Sequence, residues 1–229
     1  MLKFSKIDNK SELLDTLIKE EDARRASAPI NSTFDPLTLT ECPRRLLYRI
    51  VGVSHSDLMS YLDRQHLLAI KDKWLHIFED CRKVQLMQEK VSVADAKYNI
   101  TGQIDVIISF GSDIYATQIK SVCSDDFIKI KQKGAPKKDV VELVVYLWLL
   151  EEKDGLIIYN NNNNGDYIIF HIEPYQPIIK SIRSKCHELM RHKMEGSLPE
   201  RPYKDSSSSE CGLCEFVKMC WKQKREIKL

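Results

Sequence analysis

Three polar side chains in the segment 102–121, GQIDVIISFGSDIYATQIKS, have the types and the spacing to hold a metal ion: Asp105, Gln118 and Lys120. Apolar and polar residues alternate on both sides of a Gly-Ser pair at 111–112, which predicts two antiparallel strands joined by a two-residue turn. In that register residue 110 pairs with residue 113. Counting back along both strands places Asp105 opposite Gln118, and Gln103 opposite Lys120.

This register brings together groups that can do metal chemistry. Opposed side chains of neighbouring strands lie about 5 Å apart, so the oxygens of Asp105 and Gln118 can share one hard cation such as Mg²⁺. Lys120 projects from the same face as Gln118 because side chains alternate along a strand. An ammonium beside a metal can orient a water molecule or stabilise developing negative charge. Taken alone, the pattern also fits a solvent-exposed polar face.

Four of the seven cysteines have a spacing that suggests a second inorganic site. Cys211, Cys214 and Cys220 lie in the segment CGLCEFVKMC, and Cys42 lies far upstream. Three thiolates do not complete a tetrahedral site, so Cys42 is the candidate for the fourth ligand. From spacing alone, zinc and an iron–sulfur cluster fit equally well.

Hydrophobic periodicity and turn signals predict the elements that position these residues. Helices are predicted for 9–26, from about Leu37, from a cap at Ser56 or Asp57 to about Glu79, from Pro136 to about Glu151, and from about Gln176 to Lys193. Strands are predicted for 84–93, 97–110, 113–122, 155–160 and 166–172. This order predicts an α/β (α+β) fold with a mixed central sheet flanked by helices.

Composition narrows the class of protein. The 229 residues are 43% hydrophobic and 30% charged, as in an ordinary globular chain, and no apolar run is long enough to span a membrane. The N-terminal residues do not resemble a secretion signal, so we expect a cytoplasmic protein with reduced thiols. The net charge of +2 does not point to a partner. A cluster of lysines at 129–138 is of the kind that contacts a phosphate backbone.

With these elements assigned, the sequence resembles the PD-(D/E)XK nuclease superfamily. In this superfamily an aspartate on one strand is followed by a (D/E)-x-K triplet on the next. The segment Gly102–Asp105 is similar to the G-x-x-D element of these nucleases, and the segment Gln118–Lys120 is similar to the triplet, with glutamine in the acidic position. The resemblance implies a restriction-endonuclease-like core and a metal-dependent deoxyribonuclease.

Two further features resemble the RecB-type branch of the superfamily. Glu142 and Tyr146 lie where RecB-type members carry a Q-x-x-x-Y motif, with glutamate replacing glutamine, and His66 lies in a helix where such members carry a metal-binding histidine. The resemblance implies that Asp105, Gln118 and His66 bind Mg²⁺ or Mn²⁺. It also implies that Lys120 positions the attacking water, and that Glu142 and Tyr146 belong to the catalytic site.

One early and three late cysteines resemble the iron–sulfur subgroup of RecB-type nucleases, which includes AddB and CRISPR-associated nucleases of spacer acquisition. The resemblance implies a structural 4Fe–4S cluster on Cys42, Cys211, Cys214 and Cys220 that staples the N-terminal helix to the C-terminal tail. It implies an exonuclease for single-stranded DNA or DNA ends in a bacterial, archaeal or virus-infected cytoplasm. A helicase or CRISPR-adaptation or recombination machinery would be the partner.

The expected domain organisation is an N-terminal helical extension, 1–30, followed by one nuclease domain, 31–229, that includes the cluster-binding tail 205–229. Arg44, Arg45 and Tyr48, beside Cys42, are candidates for contacts with a DNA phosphate. Two other functions remain open: a catalytically weakened or inactive nuclease-fold subunit that binds DNA or assembles a complex, and a zinc-stapled nucleic-acid adaptor.

Overall fold

Five strands form one mixed sheet in the computed structural model, which describes Thr16, residues 18–21, residues 32–53 and residues 61–222. The strands are β1 (Val84–Asp95), β2 (Ile100–Phe110), β3 (Asp113–Val122), β4 (Gly155–Asn161) and β5 (Tyr167–Ile172). They lie side by side in chain order, and every neighbouring pair is antiparallel except β3 and β4, which are parallel. The predicted α/β fold with a mixed, helix-flanked sheet is confirmed.

The helices are α1 (Pro43–Ile50), α2 (Tyr61–Asp80), α3 (Ser124–Lys133), α4 (Lys137–Leu150), α5 (Gln176–Glu195), α6 (Ser209–Gly212) and α7 (Val217–Lys222), and a short 3-10 helix covers Pro36–Thr38. Of the helix predicted for 9–26, Thr16 and residues 18–21 are described and are helical. The predicted caps Ser56 and Asp57 lie outside the described residues, as does nearly all of the extension 1–30. None of the described helices is both long enough and apolar enough to cross a membrane.

Three element boundaries differ from the prediction for local reasons. The helix expected from Leu37 forms two elements, a 3-10 helix and α1. Pro43 has no backbone N–H to continue a preceding helix, and it occupies the first position of α1 instead. Strand β2 begins at Ile100 because Asn99 has a φ of 54° and turns the chain. Helix α3 was not predicted, and Phe127 and Ile130, three residues apart, are its buried residues.

Helices α3 and α4 form the crossover that a parallel β3–β4 pair requires. Helix α4 packs on one face of the sheet, where Leu143 and Leu147 meet Ile104, Ala116 and Ile157. Helix α2 covers the other face through Trp74 and Phe78, together with Val106, Ile119 and Ile158. The sheet is therefore buried on both sides, and a polar side chain of central β3 can reach a neighbouring helix.

The predicted hairpin register is confirmed from the turn to Val106, which pairs with Thr117. The predicted pairing of Asp105 with Gln118 is not formed, and neither is that of Gln103 with Lys120. Strand β2 changes face at Asp105, since Ile104 packs on the α4 side and Val106 on the α2 side.

The two strands therefore part at Asp105, while each keeps its partner on the other edge. Lys120 pairs with Tyr159 of β4, and Gln103 pairs with Ser92 of β1. The separation of β2 from β3 opens the sheet at the position of the candidate site.

Candidate active site

A cavity of about 680 Å³ opens where β2 and β3 separate. All but one of the residues predicted for the nuclease centre line it: Asp105, Gln118, Lys120, Glu142 and Tyr146. The exception is His66, which is exposed on α2, and the part of the wall that α2 contributes is formed by Leu67 and Lys71. The role of His66 in metal binding stays a prediction.

Asp105 joins the two separating strands and α2. One of its carboxylate oxygens accepts a hydrogen bond from the backbone N–H of Ile119 at 2.8 Å, so a side chain replaces the next backbone contact of the sheet. The other oxygen forms an ion pair with the ammonium of Lys71. The Asp105 carboxylate is thus fixed beside β3 although it lies outside the strand pairing.

Glu142, on α4, holds both polar side chains of β3. The amide nitrogen of Gln118 donates a hydrogen bond to Glu142 Oε1 at 2.6 Å, and the ammonium of Lys120 donates to Oε2 at 2.5 Å. Gln118 and Lys120 therefore lie on one face of β3, as the strand period predicts. The other atom of the amide, Gln118 Oε1, is buried and has no hydrogen-bond donor among the described residues.

The electrostatics of the cavity are dominated by carboxylates. Burial raises the pKa of Glu142, although the ammonium of Lys120 and the amide of Gln118 act in the opposite direction. Burial also raises the pKa of Asp35, which the backbone N–H of Leu37 and the charge of Lys120 partly offset. Buried Asp139 accepts a hydrogen bond from the Tyr159 hydroxyl at 2.7 Å. The cavity thus brings several carboxyl groups together, and Lys71 and Lys120 are the ammonium partners of two of them.

Gly102 is required by a close approach at the cavity wall. A Cβ at this position would lie 2.8 Å from the hydroxyl of Tyr146 and 2.8 Å from Cδ of Pro36. Burial and the nearby charges of Asp35 and Glu142 raise the pKa of Tyr146, so its hydroxyl stays protonated. The glycine of the G-x-x-D element thus lets α4 and the segment before α1 meet over β2.

Sequence reasoning missed three residues of this cavity: Asp35, Lys71 and Asp139. Asp35 caps the 3-10 helix by accepting a hydrogen bond from the backbone N–H of Leu37 at 2.9 Å. In the sequence, the Asp-Pro pair at 35–36 predicts a turn of this kind but not a place in the cavity. Lys71 lies five residues after His66, on a different face of a helix rich in charged residues. The sequence marks Asp139 only as an acidic residue in the first turn of α4, which many helices have.

The donor set of the cavity fits a hard divalent cation. Carboxylate and amide oxygens are the ligands that Mg²⁺ prefers, and a buried carbonyl oxygen without a donor normally needs a partner. Gln118 Oε1 is such an atom, with Gln118 only 3% exposed. Asp105 and Gln118, two of the three predicted ligands, are the residues of this cavity that would hold the ion.

A second cavity, of about 390 Å³, is lined by Cys42, Cys211, Cys214 and Cys220 together. Among the described residues, no three of these sulfur atoms lie within 4.8 Å of one another. Thiolates around one zinc ion are about 3.8 Å apart, because four Zn–S bonds of about 2.3 Å point to the corners of a tetrahedron. No three of the four sulfurs are therefore as close together here as they would be around one zinc ion.

Ion pairs join the two chain segments around the cysteines. Arg45 and Arg49 of α1 contact the Glu215 carboxylate at 2.8 and 2.9 Å. Arg44 is buried and donates to the backbone oxygen of Pro199 at 2.6 Å, and Tyr48 is buried against Phe216. The idea that Arg44 and Tyr48 contact DNA is therefore wrong: both side chains are inside the protein.

Asp154, His171 and Glu173 form a third group, with ligand atoms within 4.8 Å of one another. The His171 ring nitrogen lies 2.6 Å from the Asp154 carboxylate, so these two side chains already satisfy each other. The group is at the end of β4 and β5, outside both cavities described above.

Known structures share this arrangement of strands and helices. A protein named SSO0001 superimposes with a TM-score of 0.53 at 18% identity, over 90% of this chain and 95% of that chain. An alkaline exonuclease from Laribacter hongkongensis superimposes with a TM-score of 0.54 at 9% identity, over 72% of this chain and 90% of that chain. The chain has a nuclease-like α/β fold.

A phage-related exonuclease from Haemophilus somnus is also similar, with a TM-score of 0.50 at 10% identity over 71% of this chain and 94% of that chain. At such identities these similarities describe the fold alone. Neither a protein-family model nor a curated protein sequence matches the chain.

The raised pKa of Glu142 predicts how stability depends on pH in the presence of a chelator. Below the ordinary glutamate value of 4.5 the carboxyl is protonated in both the folded and unfolded states. As the pH rises, the unfolded chain releases this proton first, so the folded state loses stability until the raised pKa is passed. Replacing Glu142 by Gln removes this loss. The urea midpoint of Glu142→Gln relative to wild type should therefore increase with pH.

The matched control for this titration is Glu89→Gln, which changes an exposed glutamate of β1. Its urea midpoint should run parallel to that of the wild type across the same pH range. A Glu142→Gln curve that is also parallel would show that burial does not penalise the ionised carboxylate.

Proposed function

We propose that this chain is a divalent-metal-dependent deoxyribonuclease of the RecB-type, iron–sulfur branch of the PD-(D/E)XK nucleases. The observation that carries the proposal is the convergence of Asp105, Gln118 and Lys120 with Glu142 and Tyr146 on one cavity. The same cavity lies at the opening between two central strands of a nuclease-like fold.

Each residue has a role that follows from its contacts. Asp105 and Gln118 present oxygens to a Mg²⁺ or Mn²⁺ ion, which when bound polarises the scissile phosphate. Lys120 orients the attacking water and, as a cation, stabilises the charge that develops on the phosphate oxygens. Tyr146, protonated and fixed against Gly102, closes the wall behind these groups. Cleavage would leave a 5′-phosphate, as the family resemblance implies.

DNA as the substrate is supported by the surface around the cavity. Lys129 and Lys138 line its rim and are exposed, and Lys131, Lys133 and Lys137 are exposed on the same two helices. Such a cluster suits a polyanion whose binding weakens steeply with salt. The similar alkaline exonuclease has also been crystallised with dAMP. Single-stranded DNA or DNA ends, supplied by a helicase or by adaptation or recombination machinery, are the proposed substrates.

We propose further that Cys42, Cys211, Cys214 and Cys220 hold a structural 4Fe–4S cluster. Support comes from the four thiols that line one cavity and from the resemblance of their spacing, one early and three late cysteines, to the iron–sulfur subgroup. Burial raises the pKa of the Cys214 thiol, so that a bound cation is needed to hold it as a thiolate. The cluster would link the start of α1 to the C-terminal tail through the cysteine sulfurs.

A non-catalytic subunit is the second candidate. It is favoured by Gln118, whose neutral amide occupies the acidic position of the triplet. It is also favoured by the ion pair between Lys120 and Glu142, because a paired ammonium is not available to a water molecule. Such a protein would keep the fold and bind DNA without cleaving it.

Cleavage of single-stranded DNA in the presence of Mn²⁺ separates these candidates. Asp105→Asn and Lys120→Met should each lower the rate about 100-fold or more, because each removes a group that acts at the reacting phosphate. The rate is measured on end-labelled DNA, with circular dichroism to show that each variant is folded.

Two exposed residues provide matched controls: Asp113→Asn, at the other end of β3, and Lys83→Met, before β1. Both should cleave at the wild-type rate. Equal cleavage by wild type and Lys120→Met would refute the catalytic role, and folded wild-type protein that binds DNA without cutting it would establish the non-catalytic subunit.

The cluster predicts a brown protein after anaerobic purification, with about four iron atoms and acid-labile sulfide per chain. Cys214→Ser should lose the colour and most of the iron. Cys123→Ser, which changes an exposed cysteine outside this cavity, should retain both. A colourless wild-type protein with one zinc ion per chain would instead support a zinc-stapled adaptor.

A further inference from the structure

Two lysines form ion pairs with two carboxylates of the cavity, Asp105 and Glu142. The ammonium of Lys71, from α2, pairs with Asp105, and the ammonium of Lys120, from β3, pairs with Glu142 at 2.5 Å. Each carboxylate thus carries one positive partner. Together the two ammonium groups supply the same charge as one divalent cation.

Of these two acids, Glu142 also accepts a hydrogen bond from a buried side-chain amide. Its Oε1 accepts from Gln118 Nε2 at 2.6 Å, which places the donorless Gln118 Oε1 in the same buried corner. Glu142 is 5% exposed and Gln118 is 3% exposed. One amide thus joins the Glu142 carboxylate, through its nitrogen, to the oxygen atom that lacks a donor.

The remaining carboxylates of the cavity are less suitable. Asp139 accepts from the Tyr159 hydroxyl at 2.7 Å and lies 3.9 Å from Lys120. Asp35 accepts from the Leu37 backbone at 2.9 Å and belongs to the segment before α1. Neither carboxylate has a described contact with Gln118.

We propose that Glu142, from helix α4, supplies the second carboxylate of the divalent-cation centre, and that the cation binds in exchange for the ammonium groups of Lys71 and Lys120. This inference rests on the proposed nuclease function and adds to it a ligand outside the β2–β3 hairpin. It also gives the ion a second effect: Lys120, released from Glu142, becomes free to orient the attacking water.

The exchange keeps the charge of the cavity balanced. Without the ion, Asp105 and Glu142 are paired with two ammonium groups. With it, both carboxylates face the divalent ion, and the lysine side chains turn to solvent or to the DNA phosphate. Lys71 and Lys120 are partly exposed, with side-chain exposures of 28% and 21%, so both can move without opening the core.

The first test measures Mn²⁺ affinity by calorimetry, independently of cleavage. Glu142→Gln should weaken binding about tenfold or more, since loss of groups that only support metal ligands already costs 10–100-fold. Exchanging the pair, Gln118→Glu with Glu142→Gln, restores one carboxylate and one amide at hydrogen-bonding distance. This double variant should bind Mn²⁺ within about threefold of wild type, as expected for a conserved donor set.

The second test uses Lys71→Met, which removes a competitor of the ion. Mn²⁺ affinity should rise roughly two- to fivefold, the scale of a partly exposed ion pair. Lys73→Met, an exposed lysine of the same helix that does not line the cavity, is the control for the general loss of positive charge and should leave the affinity unchanged. This test decides whether the ion replaces the Lys71 ammonium, even if the exchanged pair does not fold.

The outcomes are distinguishable from failure of the nuclease proposal. If Asp105→Asn loses Mn²⁺ but Glu142→Gln binds it as tightly as wild type, Glu142 is not a ligand and the inference is overturned, while the nuclease function stands. An unchanged affinity in Lys71→Met overturns the exchange of the ammonium group for the ion. If folded wild type neither binds Mn²⁺ nor cleaves DNA, the proposed function and this inference both fail.

Discussion

The carboxylate of Glu142 is the contact on which the organisation of the site depends. It lies on α4, inside the crossover that makes β3 and β4 parallel, and it reaches down to Gln118 and Lys120 on β3. A buried carboxylate costs free energy unless it is paired and hydrogen-bonded, and here an amide and an ammonium offset part of that cost. Helix and strand are thereby held in one arrangement in which three polar side chains share a corner of the cavity.

The segment before α1 connects the active-site cavity with the cysteine cavity. Asp35 lines the first and Cys42 lines the second. Between them, the carbonyl oxygens of Leu39 and Glu41 accept hydrogen bonds from Lys185 of α5 at 2.8 and 2.6 Å. A cluster held by Cys42 would thus restrain the same segment that packs against Gly102 and Tyr146. This continuity gives a physical reason why a structural cluster would matter to a distant hydrolytic site.

Much of the fold follows from the sequence because it depends on local signals. The hairpin turn at Gly111, the five strands and the apolar helix α4 all carry periodicity that tertiary packing preserves. The change of face at Asp105 carries no such signal, since it depends on where the pairing of β2 with β3 ends. Lys71 and Asp35 reach the cavity from elements far apart in the chain, and their residue types alone give no sign of it.

The difference between local signals and contacts of distant elements also explains which parts of the site were predictable. Gln118 and Lys120 share a face because they are two residues apart on a strand, and Glu142 and Tyr146 share a helix face because they are four apart. That Glu142 touches both residues of β3 follows only from how α4 crosses the sheet. His66 lies on α2 as predicted, but the rotation of this helix turns Leu67 and Lys71 toward the cavity.

The most direct measurement is anomalous diffraction from a wild-type crystal containing Mn²⁺ at a concentration that supports cleavage. The account predicts a peak in the cavity with oxygens of Asp105, Gln118 and Glu142 at about 2.1 Å, the distance at which hard cations of this size bind oxygen, and with Lys120 moved away from Glu142. A cavity without a peak, in which Lys71 and Lys120 still hold Asp105 and Glu142, would contradict it.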